Sequence, residues 1–101
     1  MIAEVREKAT EIRELCERFG VATLELFGSA AVGDFREDSD LDFLVEFLDQ
    51  RVEGYFERYF GLLEGLQELF GREVDLVMPS AIRNPYFQRS VDETRVPLYA
   101  A

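Results

Sequence analysis

Asp40 and Asp42 stand one residue apart at the head of "SDLDFLVEF" (39–47), a stretch that otherwise reads as a buried strand. Residues two apart on an extended chain share a face, so both carboxylates point the same way, with α-carbons roughly 6–7 Å apart. Leu41, Phe43 and Val45 take the opposite face. Close carboxylates repel each other, and burial sharpens the repulsion. Folding must then raise a pKa or place a cation between them. A hard divalent ion such as Mg²⁺ meets that need, because it takes oxygen ligands, typically one or two carboxylates plus substrate phosphates. A third acid, Asp75, sits between Val74 and Leu76 in "EVDLV" (73–77). It joins the cluster if that strand pairs beside 41–47. Glu73 shares its face but lies nearer the strand start, and ranks lower.

An isolated Asp-x-Asp pair is common at solvated strand ends, and a lone strand aspartate is common too. The order along the chain is more specific. An apolar strand ends at Gly28-Ser29, and Ser39-Asp40-Leu41-Asp42 follows ten residues after Ser29. Gly28 lets a phosphate approach the backbone closely. Ser29 offers a hydroxyl, and a helix opening there offers unpaired N–H groups and the positive end of its dipole. One side of such a site holds phosphate and the other holds metal, which is a layout for phosphoryl or nucleotidyl transfer.

Several elements must position these groups. Ile2, Val5, Ala9, Ile12, Leu15, Cys16 and Phe19 form one helical stripe, closed by Gly20. "VATLELF" (21–27) reads as a strand, "SAAVG" as a short helix from Ser29, and "DFREDS" (34–39) as a polar loop. "LDFLVEF" (41–47) is a second strand. A helical pattern runs from Val52 to Phe70, with an apolar face wide enough to predict cover on more than one flank. Gly54, Gly61 and Gly65 weaken that helix by about 1 kcal/mol each relative to alanine. "EVDLVM" (73–78) is a third strand. Ser80 is expected to cap a short helical turn, and Asn84-Pro85 to start another. "RVPLY" (95–99) suits an edge segment because of Pro97. The expected fold is α/β (α+β): one domain over 1–101, a small mixed β-sheet with helices packed on it.

Composition narrows the chemistry. The 101 residues include no histidine and one cysteine, so the usual general base, the commonest zinc ligand and an internal disulfide are all absent. Cys16 lies on the apolar stripe and reads as a small core residue. The formal net charge is −10, with 21 acidic against 11 basic residues, which argues against direct binding of nucleic acid. A basic protein, a cationic small molecule or metal ions suit this charge better. No apolar run is long enough to span a bilayer, and the charged N-terminus lacks the apolar segment of a signal peptide, so a cytoplasmic location is expected.

On these residues the chain resembles a known family. "GSAAVGDFREDSDLDFLV" is similar to the G-S-x-A-R-G…S-D-x-D signature of the polymerase-β-like nucleotidyltransferase superfamily, and most of all to its minimal nucleotidyltransferase (MNT) group. The resemblance implies a nucleotidyltransferase-like core. It implies that Gly28, Ser29 and Ser39 bind nucleotide, and that Asp40, Asp42 and Asp75 are catalytic and hold metal. Asp75 would also help activate the attacking hydroxyl. It implies ATP as substrate and two Mg²⁺ ions. It implies a partner, a HEPN-domain toxin, which members of the group silence as antitoxins by placing AMP on a tyrosine. One position departs from the signature: Val32 stands where the family often has arginine, with Arg36 four residues on.

Three readings follow. The first is a protein adenylyltransferase acting on a toxin. The second, which Val32 favours, is an antitoxin that neutralises by binding, with weak or lost catalysis. The third is a small-molecule nucleotidyltransferase of the aminoglycoside type, disfavoured because no second acceptor-binding domain is visible.

Overall fold

The computed structural model describes residues 1–33, 36 and 39–101. Most of the polar loop expected over 34–39 lies outside the described residues. The order is α1 (Ala3–Glu7), α2 (Ala9–Arg18), β1 (Val21–Phe27), α3 (Ser29–Val32), β2 (Leu41–Phe47), α4 (Tyr55–Phe70), β3 (Val74–Val77), α5 (Pro85–Thr94) and β4 (Val96–Ala100). A 3-10 turn, Pro79–Ala81, follows β3. The strands form one mixed sheet in the order β3-β2-β1-β4. β1 is antiparallel to both β2 and β4, while β2 and β3 run parallel. A parallel pair needs a crossover, and α4 supplies it.

Strand alternation separates two faces. Leu24, Leu26, Leu41, Phe43, Val45, Val74 and Leu76 pack with Val5, Ile12, Cys16, Leu62, Leu66 and Phe70 in the main core, under α1, α2 and α4. Burial pushes the Cys16 thiol up to about 12, so it behaves as the core residue expected of it. The second face carries Phe27 and Leu44, closed by Val91 of α5 with Val77 and Ile82. Asp42, in register with Phe27, shares this thinly covered face.

Four expectations are revised. The first helix is two, broken at Lys8 (φ −100°, ψ 17°), although its apolar stripe survives the break. The long helix begins at Tyr55 rather than Val52. Arg58 reaches back to donate to the carbonyls of Glu53, Asp49 and Arg51, which ties residues 49–53 into a loop. The apolar face of α4 is covered by the sheet and by α2, as expected, while Phe56 (67%) and Phe60 (41%) stay exposed at its margin. Gly61 and Gly65 face Phe19 and Leu15 of α2, where a β-carbon would collide. The two helices therefore pack closer than alanine would allow. Asn84 does not start a mere turn. Its side chain accepts from the N–H groups of Tyr86 (2.8 Å) and Phe87 (3.3 Å) and caps a ten-residue helix. Ser80, by contrast, lies within the 3-10 turn, whose cap position is Met78.

Candidate functional site

The parallel register pairs Asp42 directly with Asp75, and the antiparallel register pairs Asp42 with Phe27 on its other side. Neighbouring strands lie about 4.8 Å apart, so Asp42 and Asp75 are side by side on one face. Asp40, exposed just before β2, adds a third charge. The Asp42 carboxyl is pushed up to about 6, first by burial, then by Asp75, then by Asp40. Asp42 thus feels the charges of both acidic neighbours. Among the described residues, none of the three forms an ion pair. The guanidinium of Arg95, before β4, is committed bidentate to Glu25 and also to Asp92 (3.0 Å).

Gly28 closes the site from the β1 side. Its backbone (φ 78°, ψ −154°) occupies a region essentially reserved for glycine. A β-carbon there would stand 2.5 Å from Asp42 Oδ2. The backbone conformation thus favours glycine, and a β-carbon would also force the Asp42 carboxylate to turn away. Its N–H donates to Thr94 Oγ1 at 3.0 Å. Ser29 opens α3, whose first N–H groups have no intrahelical partner. Ser39 lies in the loop before Asp40, where its hydroxyl accepts from Arg36 N–H (3.2 Å) and its own N–H donates to Arg36 C=O (3.0 Å). Val32 is 59% exposed at the end of α3 and offers no donor to a phosphate.

The register therefore brings Asp42, Asp75 and Gly28 together, with Asp40 and Ser29 adjoining them; Ser39 is engaged in its own turn. Sequence reasoning did not find Thr94, nor the Arg95–Glu25 pair. Each joins residues about seventy positions apart, and no local spacing signals it.

The donor set is all carboxylate oxygen, which fits a hard cation such as Mg²⁺. Among the described residues no three acidic side chains converge closely enough to hold a metal ion by themselves. The carboxylates lie on an open surface: Asp40 and Asp75 are exposed and Asp42 is half-buried. A cavity of about 400 Å³, lined by Glu46, Phe47, Tyr55, Met78 and Ser80 among others, lies at the opposite end of β2 and β3 and does not enclose them.

Comparison with known proteins agrees. A family model described as a nucleotidyltransferase domain matches residues 10–98. The chain is 42% identical over 72 residues to the protein adenylyltransferase MntA of Thermococcus cleftensis, covering 71% of this chain and 70% of that one. A solved structure of a provisionally assigned minimal nucleotidyltransferase superposes with a TM-score of 0.74 at 34% identity, covering 92% of this chain and 91% of that one. A structure described as a tri-AMPylated Shewanella oneidensis HEPN toxin in complex with MNT antitoxin shares the fold, with a TM-score of 0.64 at 18% identity, covering 96% and 73% of the respective chains. By these matches the chain belongs to the nucleotidyltransferase domain family of enzymes, among the minimal nucleotidyltransferases.

Proposed function

We propose that the chain transfers AMP from ATP to a hydroxyl, a tyrosine in the first instance, on a HEPN-type toxin, and so acts as its antitoxin. The observation that carries this reading is the in-register pair Asp42–Asp75 facing Gly28 on an open surface. Asp40, Asp42 and Asp75 would hold Mg²⁺, two ions in this reading, which supply charge neutralisation at the triphosphate. Ser29 binds the phosphates, which Gly28, lacking a side chain, lets approach the backbone closely, and Ser39 orders the approach to Asp40. The acceptor oxygen attacks the α-phosphorus, and the bond from that phosphorus to the bridging oxygen breaks. Pyrophosphate leaves. Asp75, exposed at the sheet edge, takes the hydroxyl proton. The open site leaves room for an acceptor carried by a partner, and the net charge of −10 suits a basic, RNA-binding one. The adenylyltransferase name of the Thermococcus relative and the AMPylated toxin in the Shewanella complex support the same chemistry.

A second reading rests on Val32, an exposed apolar side chain where a phosphate-binding arginine would help. On that reading the chain neutralises its toxin by binding alone. Intact-mass spectrometry separates the two. The protein encoded beside this one is incubated with the chain, ATP and Mg²⁺. A gain of one or more AMP units, lost with Asp40→Asn/Asp42→Asn, establishes transfer. Co-purification with no mass change sinks the enzymatic reading in favour of the second.

A further inference from the structure

We infer that Thr94 is a positioning residue of the nucleotide site: its hydroxyl holds the Gly28 turn against Asp42 so that Ser29 and its N–H meet the phosphates. This inference rests on the nucleotidyl-transfer reading above.

The hydrogen bonding around Thr94 is fully determined. A hydroxyl has one proton and two acceptor lone pairs. The proton goes back to the Ser90 carbonyl (3.0 Å), with Val91 C=O at 3.4 Å, the usual arrangement for a threonine in the last turn of a helix. The lone pairs are left to accept, and Gly28 N–H donates to them at 3.0 Å. The bond spans 66 positions and joins α5 to the end of β1.

The base under Thr94 is rigid. The next residue, Arg95, grips Glu25 of β1 through two hydrogen bonds and Asp92 of α5 through a third. Val91, one turn earlier, is fully buried against Phe27 and Leu44. The hydroxyl is therefore presented from a fixed point on the sheet.

What it holds is a conformation open to glycine and closed to other residues, one among several that a free glycine would sample. Gly28 has φ 78° and ψ −154° and leaves no room for a β-carbon beside Asp42 Oδ2. Its N–H, committed to Thr94, is not a phosphate donor. It fixes the plane of the peptide entering Gly28. With that plane set and Gly28 held at φ 78° and ψ −154°, the direction of the Ser29 N–H follows. Sites held by such supporting bonds lose function through small misplacements.

The test compares Thr94→Val, which keeps shape and loses the acceptor, with Thr94→Ser, which keeps the hydroxyl. Mg²⁺·ATP affinity is measured by calorimetry at a temperature where near-UV circular dichroism shows every variant folded. The Gly28 amide is followed by ¹⁵N NMR in the absence of nucleotide. In Thr94→Val the Gly28 amide proton moves upfield and exchanges faster, and affinity falls about tenfold, the effect of one lost hydrogen bond. Thr94→Ser stays within about threefold of wild type, because the acceptor is retained. Thr94→Ala replaces the valine variant if that one does not fold. A valine or alanine variant that melts lower yet binds Mg²⁺·ATP like wild type overturns the inference and leaves the nucleotide reading intact. So does a tenfold loss in Thr94→Ser. Wild-type protein that binds no Mg²⁺·ATP overturns both.

Discussion

Asp42 faces Asp75 across the parallel register of β2 and β3, and among the described residues no cation pairs with either. The Asp42 carboxyl is pushed up to about 6 by burial and by its two acidic neighbours. A fold that holds like charges together unpaired gives up stability for function. Asp42→Asn removes one charge and keeps the shape. The metal-free variant should melt a few degrees above wild type, on the order of 3 °C. Mg²⁺ with ATP should raise the wild-type melting temperature by mass action and leave the variant unmoved. A variant less stable than wild type without metal would show that Asp42 is held by a favourable contact.

Gly28 should tolerate no other residue. Alanine would meet both an unfavourable backbone region and Asp42 Oδ2 at 2.5 Å. The expected cost is about 2–4 kcal/mol, read as a lowered urea midpoint. Nucleotide binding should vanish in whatever fraction stays folded. Combining Gly28→Ala with Asp42→Gly would remove the collision and not the backbone strain. Partial recovery of stability would apportion the two.

The parts of this site that the sequence announces are those encoded locally. Asp40 and Asp42 are two apart on an alternating strand, and Asp75 interrupts an apolar one. Gly28-Ser29 ends a run of strand residues. All of these are readable from spacing. Register is not local. That Asp42 meets Asp75 rather than Glu73 depends on Leu41 pairing with Val74, which the main core selects by burying both. Helix α5 was underrated because its buried face rests mainly on Val91, with Phe87 still 40% exposed. Such a thin stripe looks like a turn until the sheet supplies Phe27 and Leu44 beneath it. Phe56 and Phe60 misled in the other direction. Their spacing matches a buried face, yet they stack on each other at 4.5 Å in solvent.

Helix α4 offers a test of packing against propensity. Alanine at Gly61 gains about 1 kcal/mol of helix propensity. Its β-carbon would collide with the ring of Phe19, a planar group with little freedom to yield. Overpacking of this kind costs about 1–3 kcal/mol, so Gly61→Ala should destabilise on balance. In a Phe19→Leu background the same substitution should become neutral or stabilising. A double-mutant cycle by urea denaturation measures the coupling. An additive cycle would mean that α2 and α4 do not approach closely here.

The pH dependence of stability follows from the same carboxylate. Asp42 has a folded pKa of about 6, raised from an ordinary 3.8. The folded state then binds a proton more tightly than the unfolded chain. Its contribution is fully present below about pH 4 and is lost as pH rises through about 6. Wild-type stability should therefore fall relative to Asp42→Asn between those values, and the difference should level off above them. Asp49, lowered to about 2 by its bonds to Arg51, has the opposite sign, but its stability is lost only as pH drops from about 4 towards 2, below this window. Urea midpoints for the two proteins at half-unit steps, without divalent metal, give the difference curve. Mg²⁺ should shift the wild-type fall to lower pH, because the metal competes with the proton for the same oxygens. A difference that stays flat from pH 4 to pH 7 would mean that Asp42 feels neither burial nor its acidic neighbours.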